Sequence, residues 1–350
     1  MSDLEHARAL VLRYGWNATA YQLVNPGIDY WFTPDGEGVV GYVRAAGVWV
    51  AAGAPVCEPG RLAEVAAAFE ARAAAAGVPV CYFGAEARLE SIYRGRPGYA
   101  MVRLGSQPVW APGEWPEIIA GRASLRAQLN RARNKGVVVE EWSAAQADRH
   151  PELRRCLEEW LETRGLPPLH FMVEPDTLAR LWDRRIFVAL RHGRVTGFLV
   201  LSPVPVRHGW LVEQVVRGHD APNGTAELML DAASRSLIRA AAGYVTLGLA
   251  PLSDRGDAPP PRNPFWLRLV LGWVRAHGRR FYNFRGLETF KAKFSPSRWE
   301  PVFAIVNRPR FSPRMLYATA KAFTVEPPFV AVGRAILRAA RQEVRWLRER

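Results

Sequence analysis

Lysine is nearly missing from this chain: of its 47 basic residues, only four are lysines and 43 are arginines. Cysteine is also scarce, and Cys57, Cys81 and Cys156 stand far apart, without the spacing of a metal site or of a redox C-x-x-C pair. Seven scattered histidines add no ligand pattern. These shortages argue against a disulfide framework and against a metal enzyme, and they are typical of a protein from a reducing compartment.

Long apolar stretches and the common nucleotide motifs are missing too. The uncharged runs at 45–57 and 240–253 are shorter than the ~20 residues of a membrane-spanning helix, and both contain glycine and proline. The charged N-terminal sequence lacks the apolar block of a signal peptide. No P-loop, zincin, nucleophile-elbow or dinucleotide fingerprint occurs. We therefore expect a cytoplasmic protein, at most peripheral at the inner face of the membrane, that uses a pre-activated donor and no cofactor.

Positive charge is what the chain has in excess. Its formal net charge of +14 and its pI near 10.3 predict polyanionic partners such as tRNA, other nucleic acid, phospholipid headgroups or phosphorylated metabolites. One basic segment has no acidic residue between Gly121 and Val139. Its cations recur at helical spacing and predict a surface that binds backbone phosphates, although an exposed helix with incidental arginines would look the same. They are Arg122, Arg126, Arg131, Arg133 and Lys135.

Short β-rich runs alternate with helical patterns along the whole chain. The run at 38–53 predicts two strands around a small-residue turn, and the alanine-rich segment up to Gly77 predicts a helix followed by a buried strand. Further on, the pattern predicts a hairpin that turns at His192 and Gly193, then a strand that ends at Arg217 and a helix beyond it. The repeated style predicts an α/β protein with two domains built on mixed sheets.

We place the first domain at residues 1–146, the second at 147–310, and a helical extension at 311–350. From Arg334 onward, six arginines stand against two glutamates, and apolar residues recur at helical spacing. This pattern predicts a basic amphipathic helix. Such a helix either lies on an anionic membrane surface or packs its apolar stripe on the second domain.

Two connections in the second half are candidate substrate sites. After the strand that ends at Arg217, a turn through Pro222 and Gly224 leads into a helix, whose first amides suit a phosphate. An ordinary strand-to-helix connection has the same pattern. A later strand runs into Pro251 and Ser253 and either opens a cleft at the sheet edge or simply leaves the sheet.

Two of the four lysines, Lys291 and Lys293, lie between Phe290 and Phe294 in a short predicted helix, with Asn283 and Arg285 just before it in the sequence. Two ammonium groups so close together in an arginine-rich chain indicate that this segment needs lysine rather than arginine. A solvated helix face above two packed aromatic rings is the alternative.

Three stretches carry a resemblance to a known family: "RGHDAPNGTAELML", "GYVTLGLAPLS" and "FYNFRGLETFKAKFSPSRWEP". In this order and spacing they resemble the C-terminal synthase domain of the aminoacyl-phosphatidylglycerol synthases, the multiple peptide resistance factor or phosphatidylglycerol lysyltransferase family (DUF2156). The resemblance covers about residues 20–307. It implies tandem acetyltransferase-like (GNAT) domains, and transfer of an aminoacyl group from aminoacyl-tRNA to a hydroxyl of phosphatidylglycerol or a related lipid.

On this resemblance, Lys293 is the expected catalytic cation, because a compact ammonium on a flexible stem can neutralise the oxyanion that forms when an ester is attacked. Lys291 is the second candidate for that role. Arg217 would hold a phosphate of the lipid or of the tRNA 3′ end. The basic segment 122–135 would contact the tRNA acceptor stem. The remaining expected substrate-binding residues are Asn283, Arg285, Pro222, Gly224, Pro251 and Ser253.

The sequence departs from the family pattern in two respects. The position three residues before Arg217 usually holds an aspartate, and here it is Gln214 with Glu213 beside it. Either a bulge re-aims Glu213 towards the donor amine, or the amine is bound differently, because neighbouring strand residues face opposite sides. Family members also usually carry a multi-span membrane domain ahead of the synthase. This sequence shows none, so a separate membrane flippase is a candidate partner and the lipid acceptor stays open.

Two other kinds of function remain open at this point. One is a different acyltransferase, either a GNAT enzyme that uses acyl-CoA or an aminoacyl-tRNA enzyme that acts on a peptide or sugar amine. The other is a non-catalytic protein that binds RNA or a membrane surface through its basic residues. Fold-level resemblance cannot separate them, since one scaffold hosts many acceptors.

Overall fold

The computed structural model describes residues 1–163, 169–256, 263–277 and 284–324. The described residues form eleven α-helices: α1 Asp3–Tyr14, α2 Leu62–Ala75, α3 Ala87–Tyr93, α4 Trp115–Gly121, α5 Ala123–Asn134, α6 Ala144–Ala147, α7 Pro151–Glu162, α8 Thr225–Arg239, α9 Phe265–His277, α10 Phe284–Ala292 and α11 Pro313–Ala322. They also form thirteen strands: β1 Asp29–Phe32, β2 Gly38–Ala45, β3 Val48–Ala52, β4 Val56–Cys57, β5 Val80–Ala85, β6 Ala100–Trp110, β7 Val137–Trp142, β8 Arg185–Arg191, β9 Arg194–Val204, β10 Gly209–Arg217, β11 Tyr244–Thr246, β12 Ala250–Pro251 and β13 Arg298–Val306.

Local sequence explains most of these elements. Helix α2 buries Leu62, Val65, Phe69 and Ala73, a spacing that places them on one face. Ser2 is the N-cap of α1 and forms a capping box with Glu5. The hydroxyl of Ser2 accepts a hydrogen bond from the amide of Glu5, and the carboxylate of Glu5 accepts one from the amide of Ser2. The predicted hairpin is confirmed as β8–β9. Both residues of its turn have positive φ, 51° at His192 and 75° at Gly193, as a two-residue turn of this type requires.

The two halves of the chain repeat one arrangement of strands. In the first, β2 and β3 are antiparallel and α2 leads from β3 to the parallel strand β5. In the second, β9 and β10 are antiparallel and α8 leads from β10 to the parallel strand β11. The predicted α/β class with mixed sheets is therefore confirmed.

A later strand from each half joins the other half. Strand β6 pairs with β11, and β13 lies between β5 and β6. The sheet is consequently continuous, in the order β1-β2-β3-β5-β13-β6-β11-β10-β9-β8-β7. Strand β7, which lies before the proposed boundary at 146/147, pairs with β8 beyond it. The division into domains at 1–146 and 147–310 stays a prediction. The strand pairing joins both halves into one sheet.

Helices cover both halves of this sheet. In the part of the chain that the structure describes, no helix is both long and apolar enough to cross a bilayer. Helix α11 occupies the start of the predicted extension at 311–350. The predicted basic amphipathic helix falls in residues 325–350, outside the described residues.

A buried charged cluster sits where the two halves meet. Arg207, in the turn before β10, bonds both carboxylate oxygens of Glu300 on β13, at 2.5 and 2.9 Å. The carboxylate of Glu86, which follows β5, lies 3.5 Å from the same guanidinium and accepts the amide of Ala18 at 2.7 Å. Glu86 is only 2% exposed, and this burial raises its pKa to about 7 even though Arg207 is near.

Glu86 is expected to make the fold less stable as the pH rises. Because its pKa is raised on folding from about 4.5 to about 7, the folded chain holds this proton more tightly than the unfolded chain does. Its contribution of roughly 3 kcal/mol is present below pH ~4.5 and is lost as the pH rises through ~7. We expect Glu86→Gln to remove that part of the decline, as measured by urea unfolding at about pH 5 and about pH 8.

The exposed Glu117 supplies the matched control, because Glu117→Gln changes the same chemical group on the surface. The prediction is wrong if Glu86→Gln and Glu117→Gln lose the same stability between the two pH values.

Candidate active site

The parallel strands β10 and β11 separate after three paired residues. Gly209–Leu211 pair with Tyr244–Thr246, and then β10 continues beside β9 to Arg217. After β11 the backbone turns away from β10 at Leu247 and Gly248, and φ of Gly248 is +69°; it re-enters the sheet as β12 beside β6. The strand that the sequence predicts to run into Pro251 is thus broken into β11 and β12. Ligand clefts form at the carboxyl ends of parallel strands that diverge in this way.

Helix α10 packs beside β12 and sends Lys291 into the break. The Nζ atom of Lys291 donates to the carbonyl oxygens of Gly248 at 2.8 Å and Leu249 at 2.7 Å. The residue is 6% exposed, and burial lowers the pKa of its ammonium to about 7. These carbonyls lie between β11 and β12, so the lysine satisfies acceptors that the broken strand leaves over.

Lys293 reaches a different element. Its Nζ lies 2.7 Å from Oε1 of Glu227, in the first turn of α8, and a quarter of its side chain is exposed. Phe294 is fully buried, with its ring centroid 5.9 Å from that of Trp115 and 5.1 Å from that of Phe290. The aromatic rings therefore anchor α10 while both ammonium groups contact the protein around the strand break, and neither projects into bulk solvent.

Arg217 lies at the exposed end of β10. Its guanidinium has no hydrogen bond or ion pair with any residue that the structure describes. No described partner therefore competes for this guanidinium, and its contact with a phosphate stays a prediction.

The turn that follows Arg217 is packed rather than open. Gly224 begins α8 with φ +97°, and a Cβ there would lie 2.1 Å from the carbonyl oxygen of Gln128 on α5. The carbonyl of Pro222 accepts both the amide and the hydroxyl of Thr225, at 3.2 and 2.7 Å. This glycine thus permits close contact with α5, and a phosphate-binding role for the turn stays a prediction.

The other predicted substrate-binding residues are spread around α10 and β12. Pro251 pairs with Gly105 in the sheet, and Ser253 is buried with its hydroxyl 3.3 Å from the amide of Arg255. Arg285 lies in α10, but its side chain is outside the described residues, as is all of Asn283.

Glu213 and Gln214 both fasten the segment 175–184. A bulge between Val212 and Gln214 interrupts the pairing of β10 with β9, and the side chain of Glu213 at this bulge is directed to Arg184. Glu213 forms a two-bond ion pair with Arg184, at 2.7 and 2.9 Å. Gln214 accepts the hydroxyl of Thr177 at 2.6 Å and donates to the carbonyl of Pro175 at 2.8 Å. Binding of a donor amine by either side chain stays a prediction and would compete with these contacts.

The basic residues around α5 are exposed, and one of them adjoins the lysine segment. Nε of Arg122 donates to Oγ of Ser295 at 2.6 Å, two residues beyond Lys293. Arg126 bonds the carbonyl of Ile119 at 2.9 Å, and Arg133 pairs with Asp231 at 2.9 Å. Arg122, Arg126 and Arg133 share one side of α5, whereas Arg131 and Lys135 lie roughly 180° round the helix from them, so the cations surround α5 rather than forming a single face.

Sequence reasoning missed Glu227 and Arg184. Glu227 is one of many acidic residues in first helical turns, a position that is common because of the helix dipole. Arg184 is one of 43 arginines and lies 29 residues before its partner Glu213. Neither has a local signal. Among the described residues, no three His, Cys, Asp or Glu side chains converge as they would around a metal ion.

Comparison with known proteins supports the resemblance. The sequence model of the family described as phosphatidylglycerol lysyltransferase, C-terminal, matches residues 8–306. The C-terminal domain (DUF2156) of a putative lysylphosphatidylglycerol synthetase from Agrobacterium fabrum has a TM-score of 0.77 at 24% identity, covering 92% of this chain and 97% of that one. L-PGS from Bacillus licheniformis has a TM-score of 0.73 at 20% identity, covering 95% of each. Both likenesses confirm the fold.

Curated relatives are longer than this chain. The lysylphosphatidylglycerol biosynthesis bifunctional protein LysX of Gordonia bronchialis is 23% identical over 329 residues, which are 89% of this chain and 28% of LysX. An uncharacterised protein of Corynebacterium glutamicum is 23% identical over 306 residues, 84% of this chain and 38% of that protein. The chain therefore spans well under half the length of these relatives.

Proposed function

Because the chain belongs to the phosphatidylglycerol lysyltransferase C-terminal family, we propose that it transfers an aminoacyl group from aminoacyl-tRNA to a hydroxyl of phosphatidylglycerol or a related lipid. The observation that carries this proposal is the pair of lysines on α10. Lys291 and Lys293 place one buried and one partly exposed ammonium near the point where β10 and β11 diverge. A reaction that develops negative charge on a carbonyl oxygen benefits from positive charge held there in advance.

The proposed reaction exchanges one ester for another. The hydroxyl oxygen of the acceptor attacks the aminoacyl carbonyl carbon, and Lys293 stabilises the resulting oxyanion. The bond from that carbon to the tRNA ribose oxygen then breaks, and the ribose oxygen takes up the proton that the acceptor loses. The ester of the aminoacyl-tRNA supplies the free energy, so the reaction as proposed needs no further cofactor.

Lys291 is suited to carry that proton between the two oxygens. With its pKa lowered to about 7, a large fraction of this side chain is a neutral amine at neutral pH. A neutral amine keeps two N–H bonds for the carbonyls of Gly248 and Leu249 and has a lone pair left to accept a proton.

The basic residues around α5 support tRNA as the donor. Arg131 and Lys135 are exposed on one side of the helix, and Arg122, on its other side, contacts Ser295 at the end of α10. Backbone phosphates of an acceptor stem bound there would lead its 3′ end towards the lysines. On this proposal the protein works at the cytoplasmic face of the membrane, and a separate flippase would move the product across.

The test follows labelled amino acids. The full chain is incubated with aminoacyl-tRNA carrying labelled amino acids and with phosphatidylglycerol vesicles, and the lipid phase is counted. We expect label in the lipid, lost after ribonuclease treatment of the donor and absent with phosphatidylcholine alone. Label that stays on tRNA with every acceptor, or transfer only from labelled acyl-CoA, would overturn the proposal.

A further inference from the structure

Helix α9 is apolar on two sides, although one of them faces solvent. On the inner side, Leu267 is 1% exposed and packs in the core, with Trp266 and Leu271 beside it. On the outer side, Phe265 is 67% and Leu269 59% exposed, one turn apart. A helix that is apolar on its solvent side commonly has a binding partner there.

The sequence around α9 is strongly basic. From 258 to 287 there is no aspartate or glutamate, and there are six arginines: Arg262, Arg268, Arg275, Arg279, Arg280 and Arg285. Within α9, the exposed guanidinium of Arg268 lies over the ring of Phe265, with 5.7 Å from Cζ to the ring centroid. The exposed apolar side chains are therefore combined with positive charge and with no negative charge from their own segment.

Charge selects among the possible partners of this face. A second copy of the chain would bring two acid-free, arginine-rich segments together, and their repulsion opposes association. Residues 325–350 carry six arginines against three glutamates, so charge does not favour their covering α9 either. An anionic bilayer offers both negative headgroups for the arginines and an apolar layer for Phe265 and Leu269.

We propose that the outer face of α9 docks the protein on an anionic lipid surface. Phe265 and Leu269 enter the boundary between headgroups and acyl chains, while Arg268 stays among the phosphates. The chain order adds a reason, since α9 directly precedes the segment leading to α10 and Lys291. This inference deepens the proposed function, because it assigns the surface through which the protein approaches the lipid acceptor. In that respect the inference rests on the proposed function.

The test is binding of the full chain to vesicles, which requires no chemistry. Mixed phosphatidylglycerol–phosphatidylcholine vesicles are sedimented with the protein, and the bound fraction is measured. We expect Phe265→Ser/Leu269→Ser to lower the partition coefficient by about tenfold or more, because two apolar side chains no longer insert. Val138→Ser/Val173→Ser is the matched control, since these valines are 59% and 53% exposed elsewhere, and its binding should be unchanged.

Other occupants give different results. If the α9 variant binds vesicles as the unmodified chain does, the proposal is overturned. A smaller molar mass in solution with unaltered vesicle binding would also overturn it, since a second copy of the chain would then cover α9. A lower melting temperature with unaltered vesicle binding would overturn it as well, since residues 325–350 would then cover α9. Equal binding to pure phosphatidylcholine vesicles would contradict the role of charge.

A separate readout distinguishes this inference from the proposed function. We expect the α9 variant to retain transfer to detergent-dispersed phosphatidylglycerol and to lose transfer to vesicles. If the unmodified chain transfers to neither, the proposed function fails while vesicle binding still tests α9.

Discussion

Replacing Lys293 with methionine is expected to slow aminoacyl transfer by about 10²–10³-fold, the usual effect of removing one group that stabilises an oxyanion. Methionine keeps the length of the side chain and removes the charge that lies 2.7 Å from Glu227. The rate is measured as initial transfer of labelled amino acid to phosphatidylglycerol, with thermal unfolding followed in parallel. Lys293→Arg should restore little of the rate, because a planar guanidinium cannot follow the oxygen as a compact ammonium does.

Two further variants make this result decisive. Lys321→Met makes the same change on the exposed side of α11 and should leave the rate unaltered. Glu227 is 8% exposed, and Lys293→Met leaves its buried carboxylate without a cation. The double variant Lys293→Met/Glu227→Gln removes that unpaired charge. Full activity in this double variant would show that Lys293 serves only to balance Glu227, and it would exclude the oxyanion role.

Replacing Arg184 with methionine is expected to lower the free energy of unfolding by about 3–5 kcal/mol, because it leaves a buried carboxylate without its partner. The side chains of Arg184 and Glu213 are 2% and 8% exposed, and two hydrogen bonds join them. Arg184 also donates to the carbonyl of Arg180 at 2.6 Å, so its loss releases the segment after α7 as well. Urea unfolding gives the measurement.

The double variant Arg184→Met/Glu213→Met should recover most of the lost stability, since apolar residues often replace a buried ion pair at little cost. The exposed pair of Arg13 and Glu37 is the control, and Arg13→Met should change stability by no more than about 1 kcal/mol. Equal losses in the single and double variants would contradict the ion-pair explanation. The double variant also tests Glu213 itself: normal transfer by a stable double variant would exclude this carboxylate as the contact for the donor amine.

Much of the local structure follows from the sequence. The hairpin turn predicted at His192 and Gly193 is the turn between β8 and β9. The strand predicted to end at Arg217 is β10, and the helix predicted beyond it is α8. Hydrophobic periodicity and turn chemistry depend on neighbours within a few residues, so they survive whatever the rest of the chain does. The same holds for the family motifs, which are contiguous stretches.

The sequence could not determine which distant residues meet. It offered Glu213 as a contact for the substrate, and the tertiary structure pairs it with Arg184. It named Lys293 as the catalytic cation and Lys291 as the second candidate, but it could not show their surroundings. The fold buries Lys291 against two carbonyls of a broken strand and pairs Lys293 with Glu227. The break between β11 and β12, the pairing of β6 with β11 and the position of β13 between β5 and β6 all depend on contacts between segments far apart in the chain. Composition and local pattern thus determined an arginine-rich α/β protein of this family. The environment of each charged group was decided only by the tertiary structure, because burial and pairing are properties of the packed chain.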